Sequence, residues 1–130
     1  MRWFLRSLLA AASFTFAAVS QAGDLPKIDQ ASLLKRIDKK DASMVILDER
    51  TPEEFAAGHV PGAINIPHTH LPSRISEVAD AADKDIVLYC AVGIRAEMGA
   101  ERLRENGFSK LIHLDGDMQA RQAQKRPLEK

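Results

Sequence analysis

The only cysteine of this 130-residue chain, Cys90, lies where an apolar strand should end and a helix should begin. Residues 86–89 before it are apolar, and a turn containing Gly93 leads into a helical stretch that starts near Arg95. A thiol at the start of a helix meets unpaired backbone N–H groups and the positive end of the helix dipole, and both favour the thiolate. The pattern therefore predicts a nucleophilic sulfur, against the alternative of a buried inert thiol.

The residues after Cys90 are predicted to bind an anionic substrate. A loop wrapped around the side chain would direct successive N–H groups at one point. The candidate substrate-binding residues are Ala91, Val92, Gly93, Ile94 and Arg95. Gly93 permits the backbone angles of such a turn, and the Arg95 guanidinium can bind an oxyanion with two hydrogen bonds. The alternative for Arg95 is a solvated residue in the first helical turn, where a cation slightly opposes the helix dipole.

Strands and helices alternate along the chain. Short apolar runs predict strands at residues 44–47, 63–66, 86–89 and 111–114. Helices are predicted at residues 30–39, 51–58, 71–78 and 95–105, with a polar loop at residues 80–85 and a polar helix after Asp117. Thr51 and Glu54 have the spacing of a capping box at the start of the second helix, with Pro52 in its first turn. This alternation predicts an α/β fold with a parallel sheet covered by helices on both faces. In such sheets the ligand site lies beyond the carboxyl ends of the strands, where Cys90 is expected.

The first 22 residues have the layout of a secretory signal peptide. Arg2 and Arg6 form a basic start, residues 7–19 carry no charge, and small residues surround Ala22. We expect cleavage after Ala22, which leaves a single domain at residues 23–130 whose last few residues fray. A periplasmic location follows as an expectation. The alternative, a membrane anchor, has too short an apolar run.

Charge gives no indication of a nucleic-acid or membrane partner. The full chain has 18 basic and 18 acidic residues. Loss of Arg2 and Arg6 leaves 16 basic residues and a net charge of −2, without a basic face. We expect no nucleic-acid partner, no membrane association after cleavage, and a monomer.

Two further stretches resemble the signatures of the rhodanese family. They are residues 48–55, Asp-Glu-Arg-Thr-Pro-Glu-Glu-Phe, and residues 58–67, Gly-His-Val-Pro-Gly-Ala-Ile-Asn-Ile-Pro. The segment 90–95 falls where that family has its active-site loop, and residues 114–118 resemble its final Gly-rich turn. The resemblance covers about residues 25–125. As a single secreted domain, the chain resembles the small periplasmic thiosulfate sulfurtransferases of that family.

The resemblance implies a five-stranded parallel sheet flanked by helices and a sulfurtransferase activity. In that family a cysteine takes a sulfane sulfur from a donor such as thiosulfate, holds it as a persulfide and passes it to cyanide or a thiol. No cofactor or metal is implied. Ala91, Val92 and Ile94 depart from the family's commoner polar residues, and we expect these three apolar side chains to surround the thiol. We therefore expect weaker binding of small dianions and a larger or less polar donor.

Three other residues are candidates for supporting roles around the site. Asp48 follows a buried strand and could orient the loop amides or Arg50, or be a solvated strand end; a self-satisfied Asp-x-Arg pair is favoured. His59 is favoured as a hydrogen-bonded structural residue over a general base, since a thiolate stabilised by amides needs no base. His68 and His70 lack further ligands nearby, so no metal site is expected.

Two rival functions remain open on the sequence. A Cys-dependent phosphatase or arsenate reductase uses a similar loop with five residues between Cys and Arg, whereas four separate Cys90 from Arg95. The smaller loop suits a single sulfur atom better than a tetrahedral oxyanion. The other rival is a non-catalytic module of rhodanese fold that binds sulfur or another protein.

Overall fold

The computed structural model describes residues 25–130, which form a five-stranded sheet in the order β1-β5-β4-β2-β3. Every neighbouring pair of strands is parallel. The strands are β1 (Lys27–Ile28), β2 (Met44–Asp48), β3 (Ile64–Asn65), β4 (Asp85–Tyr89) and β5 (Leu111–Leu114). The predicted α/β architecture with five parallel strands is confirmed.

The helices lie between the strands, close to the predicted positions. They are α1 (Gln30–Asp38), α2 (Pro52–Ala57), a 3₁₀ helix (Pro72–Ala81), α3 (Ile94–Glu105) and α4 (Asp117–Ala123). The helix expected at residues 71–78 is 3₁₀ rather than α and runs on into the predicted polar loop. Arg74 interrupts it with non-helical angles of φ −115° and ψ 15°. Two short turns joined at that residue replace one regular helix.

Side chains alternate between the two faces of the sheet, and each face has its own apolar core. On one face Ile86 and Leu88 of β4 pack with residues of α3 and the 3₁₀ helix. On the other face Val87 and Tyr89 pack with Leu33 of α1 and with α4. A strand that is buried on both faces has apolar residues at successive positions. Its sequence is therefore a continuous apolar run and does not alternate between apolar and polar residues.

The register of the central strands places the candidate site. Asp48 at the end of β2 pairs with Tyr89 at the end of β4. Cys90 and Glu49, the next residue on each strand, therefore leave the sheet side by side. The carboxyl edge of the sheet thus places the Cys90 loop next to residues 48–55, the first of the two family-like stretches.

The last residues of the chain are hydrogen-bonded to the rest of the domain. The backbone of Glu129 exchanges two hydrogen bonds with that of His59, at 2.9 and 2.8 Å. The guanidinium of Arg121, fully buried, donates to the carbonyl oxygen of Pro127 at 3.0 and 2.8 Å. A buried guanidinium must find acceptors, and here the tail supplies one.

The predicted signal peptide lies outside the described residues. Within residues 25–130, no helix has the length and apolar character needed to cross a membrane.

Candidate active site around Cys90

Cys90 lies at the carboxyl end of β4 as predicted, but its side chain is covered. Only 1% of the residue is exposed to solvent. The backbone bends through residues 91–93, and α3 begins at Ile94 with Gly93 as its N-cap. The sulfur therefore lies beneath a short loop at the start of a 12-residue helix, the electrostatic setting that favours an anion.

One of the five predicted amides is hydrogen-bonded to the sulfur. The N–H of Gly93 donates to Cys90 Sγ at 3.0 Å. Within residues 25–130, the other four amides make no hydrogen bond to Sγ or to another acceptor. Two of them, those of Ile94 and Arg95, belong to the first turn of α3, where N–H groups have no intrahelical partner. The loop therefore keeps free donors beside the sulfur.

Gly93 is required by its conformation and by its surroundings. Its φ of +117° is one that side chains rarely adopt. A Cβ atom at this position would lie 3.1 Å from both Asp117 Oδ2 and His113 Cε1. The loop can therefore rest directly on β5 and α4.

Two apolar side chains of the loop, those of Val92 and Ile94, face solvent. Val92 is 62% exposed and Ile94 is 68% exposed. The expectation that apolar side chains surround the thiol is therefore wrong for Val92 and Ile94. The sulfur itself belongs to the buried apolar core that includes Leu88 of β4 and Ala96 of α3.

Arg95 is held by an acidic partner that the sequence analysis did not identify. Its Nη1 and Nη2 atoms donate to the two carboxylate oxygens of Glu54 at 2.6 and 3.0 Å. The Arg95 hydrogen bond lowers the pKa of Glu54 to about 2. The same hydrogen bond raises the pKa of Arg95. The cation beside the sulfur is therefore already paired.

Asp48 and Arg50 form the self-satisfied pair that the sequence favoured. Asp48 is fully buried, so the alternative of a solvated strand end is wrong. Its carboxylate accepts from the Arg50 backbone N–H at 2.9 Å and from Arg50 Nη2 at 2.8 Å. The hydroxyl of Tyr89 donates to the same carboxylate at 2.6 Å. Asp48 thus orients Arg50 and not the loop amides.

His59 lies among structural contacts at the end of α2. Its ring stacks on that of Phe55 with a centroid distance of 3.6 Å, and Nδ1 lies 2.9 Å from the Phe55 carbonyl oxygen. Its Nε2 lies 3.7 Å from a carboxylate oxygen of Glu129. These partners belong to α2 and to the tail, and none of them belongs to the Cys90 loop.

A cavity of about 320 Å³ adjoins the loop. It lies between α2, the first loop residues and α4, and is lined by Arg50, Glu54, Ala91, Val92, Met118, Gln119 and Gln122. The acid that holds Arg95 is thus also part of this cavity wall. Among residues 25–130, no group of three or more His, Cys, Asp or Glu side chains is placed to bind a metal ion.

Sequence reasoning missed the residues that support the loop from below. The Cys90 backbone N–H donates to Asp117 Oδ1 at 3.0 Å, and His113 Nε2 lies 2.9 Å from the same oxygen. The sequence places Asp117 only in the Gly-rich turn at residues 114–118. Because the pair reaches Cys90 from a distant part of the chain, its spacing gave no signal.

Comparison with known protein families decides the assignment. The model of the rhodanese-like domain matches residues 29–124. This chain belongs to the rhodanese-like domain family.

Two solved structures show how closely this rhodanese-like domain resembles others of its fold. The rhodanese-like domain of an Anabaena protein superposes with a TM-score of 0.70 at 29% identity, covering 80% of this chain and 78% of that one. A Rhodopseudomonas palustris protein of unknown function, described as a possible tyrosine phosphatase, gives 0.69 at 25% identity, covering 81% and 85%.

A curated relative is considerably longer than this rhodanese-like domain. The tRNA uridine(34) hydroxylase of Salmonella newport is 36% identical over 101 residues. The match covers 75% of this chain but only 28% of that protein. The chain thus spans about a quarter of the length of the curated relatives it matches.

Proposed function

We propose that this rhodanese-like domain is a sulfurtransferase that carries a sulfane sulfur as a persulfide on Cys90. The observation that carries the proposal is the position of the sulfur at the start of α3. There it accepts the Gly93 N–H at 3.0 Å, with four further loop amides free of protein acceptors within residues 25–130. Such amides stabilise negative charge on the thiolate and on an added outer sulfur.

The reaction proceeds in two nucleophilic displacements. The Cys90 thiolate attacks the sulfane sulfur of the donor, and a sulfur–sulfur bond forms on Sγ. The bond from that sulfur to the rest of the donor breaks, and its electron pair leaves with the remainder, as sulfite from thiosulfate or as a thiolate from an organic persulfide. A thiol or cyanide acceptor then attacks the outer sulfur and regenerates the thiolate.

Two arginine–carboxylate pairs favour an organic persulfide over thiosulfate as the donor. Arg95 is paired with Glu54, and Arg50 is paired with Asp48. A small dianion must compete with these carboxylates for its hydrogen bonds. An organic persulfide needs no such cation, and the adjoining cavity of about 320 Å³ offers room for its organic part.

The experiment is a donor screen on residues 23–130, read by intact mass. We expect a gain of one sulfur atom after treatment with glutathione persulfide, and loss of that gain when a thiol acceptor is added. The matched control is Cys90→Ser, which removes the only thiol of the chain. If none of the sulfane donors gives an adduct, the proposal is overturned and a non-catalytic binding module is supported. The 1% exposure of Cys90 also favours that alternative.

The possible phosphatase among the structural neighbours makes aryl phosphate hydrolysis a second candidate to test. Four residues separate Cys90 from Arg95, and Arg95 is bound by Glu54, so the loop offers a phosphate no unpaired guanidinium. We expect turnover of para-nitrophenyl phosphate to stay at the level of the Cys90→Ser variant. Turnover that matches sulfur transfer would reverse the assignment.

We do not extend the hydroxylase activity of the longer relative to this chain. The match covers 28% of that protein, and the 18 basic residues here are balanced by 18 acidic ones. We do propose a periplasmic location, which rests on the layout of residues 1–22.

A further inference from the structure

We propose that Asp117 and His113 are positioning residues that hold the Cys90 loop and set the charge beneath its sulfur. This inference rests on the proposed function, because it explains how that function's nucleophile is supported. Its test below measures the reactivity of the thiol and not sulfur transfer, so the two can fail separately.

The pair joins the end of β5 to the nucleophile. Asp117 Oδ1 accepts the Cys90 backbone N–H at 3.0 Å. His113 Nε2 lies 2.9 Å from Oδ1 and 3.1 Å from Oδ2 of the same carboxylate. Asp117 is 2% exposed and His113 is 7% exposed, so water does not compete for these contacts. The carboxylate is therefore shared between the loop and the imidazole.

The backbone around Asp117 is held in an unusual conformation. Asp117 has φ +55°, a region that residues other than glycine seldom adopt. The Gln30 amide nitrogen donates to the carbonyl oxygens of Asp115 and Asp117, both at 3.0 Å. The Gln30 amide oxygen in turn accepts from Arg121 at 3.2 Å. A buried network from α1 and α4 thus fixes the carboxylate under the loop, as expected where strain serves a site.

The α4 turn holds the loop at further points. The Met118 N–H donates to the Cys90 carbonyl oxygen at 3.0 Å, and the Gln119 N–H donates to that of Ala91 at 3.1 Å. With the Asp117 carboxylate, three consecutive residues at the start of α4 are thus hydrogen-bonded to Cys90 and Ala91. Movement of Asp117 would therefore move the sulfur.

A carboxylate so close to the sulfur has an electrostatic consequence. Negative charge beneath Cys90 opposes the thiolate, whereas a donor on that carboxylate reduces the effect. His113 is this donor. It allows Asp117 to hold the Cys90 amide at a smaller electrostatic cost to the nucleophile.

Other charges near the pair come from three neighbouring elements. Arg95 of α3 lies beside Cys90 and is bound by Glu54. Arg121 of α4 reaches the pair through Gln30, and Lys27 of β1 lies opposite His113 in the sheet. Substitution of Asp117 or His113 leaves these groups in place, so a change in the reactivity of Cys90 can be attributed to the Asp117–His113 pair.

The test is the rate of Cys90 alkylation by iodoacetamide as a function of pH. Asp117→Asn keeps an acceptor for the Cys90 amide and removes the charge, so the midpoint should move down by about one pH unit. His113→Ala removes the donor and should move the midpoint up by about one unit. His113→Gln restores a donor and should return the midpoint to that of the unsubstituted protein.

The matched control is Asp115→Asn, an exposed acid two residues away, which should leave the profile unchanged. Opposite shifts for Asp117→Asn and His113→Ala cannot arise from mere loosening of the loop. Equal profiles, or shifts in the same direction, would overturn the inference. If His113→Ala fails to fold, Asp117→Asn decides alone, because it keeps both hydrogen bonds.

Discussion

Glu49 is a carboxylic acid buried next to the site. Within residues 25–130, neither of its side-chain oxygens has a partner, and the residue is fully buried. Burial, together with the charge of Asp48, raises its pKa to about 9. Gly99 of α3 makes room for it, since a Cβ there would lie within 2.6 Å of a Glu49 oxygen. Glu49 is therefore protonated at neutral pH.

A protonated buried acid makes stability depend on pH. The folded protein binds the proton up to a pKa of about 9, and the unfolded chain releases it near 4.5. The contribution to stability is full below the unfolded value and is lost as pH rises towards the folded value. Between pH 5 and pH 8 the unfolding free energy should fall by roughly 1.4 kcal/mol per pH unit.

The measurement is urea denaturation at several pH values, compared between the unsubstituted protein and Glu49→Gln. Glutamine has the same size and does not ionise, so its unfolding free energy should lack this slope. Relative to the unsubstituted protein, the variant should gain about 3 kcal/mol on going from pH 5 to pH 7. A difference between the two proteins that does not change with pH would contradict the assignment.

At the scale of elements, one side chain links α2 to α3. Glu54 completes the capping box of α2 with Thr51, whose hydroxyl oxygen accepts the Glu54 N–H at 3.2 Å. The same carboxylate binds Arg95 in the first turns of α3. The sequence predicted the cap from its spacing, while the ion pair spans 41 positions and could not be predicted.

Release of Arg95 from its partner should improve the use of thiosulfate. Glu54→Gln keeps the capping box, which accepts Gln as well as Glu, and leaves the guanidinium unpaired. We expect kcat/KM for thiosulfate to rise by about tenfold, the size of one charged hydrogen bond. Thiocyanate formation measures the rate. Glu53→Gln, an exposed acid on the same helix, is the control, and an equal rise there would contradict the role of Glu54.

Whether a feature could be predicted from the sequence depends on how far apart along the chain its interacting residues lie. The strands, the capping box and the position of Cys90 follow from local signals, such as apolar runs, Thr51-Pro52 and the Gly93 turn, and these were predicted. The exposure of Val92 and Ile94 and the Asp117–His113 pair depend on how separate elements meet. Spacing along the chain carries no information about such contacts, so the support of the loop was missed.

At the scale of the whole molecule, the tail closes the fold beside α2. Glu129 pairs with His59 through the backbone, and the Pro127 carbonyl oxygen accepts from the buried Arg121 guanidinium. Burial lowers the pKa of Arg121, an unfavourable effect that its hydrogen bonds offset. Arg121 also reaches Gln30 and hence the loop support, so the tail contributes to the site indirectly.

Removal of residues 126–130 should therefore destabilise the domain. Arg121 would lose the acceptor at Pro127, and the backbone of His59 would lose its partner. We expect the free energy of unfolding to fall by about 2 kcal/mol and Tm by roughly 10 °C. Thermal unfolding followed by circular dichroism measures the change. Removal of Lys130 alone is the control, and an unchanged Tm in the longer truncation would show that the tail contacts do not stabilise the fold.

The central claim is that Cys90 carries a transferable sulfur, and peptide mapping tests it most directly. The protein is treated with glutathione persulfide, blocked with iodoacetamide, digested and analysed by mass spectrometry. The account predicts that the peptide containing Cys90 carries one additional sulfur beneath the alkyl group, and that incubation with a thiol before blocking removes this sulfur. A Cys90 peptide that is found only as the simple alkylated thiol after every donor would contradict the account.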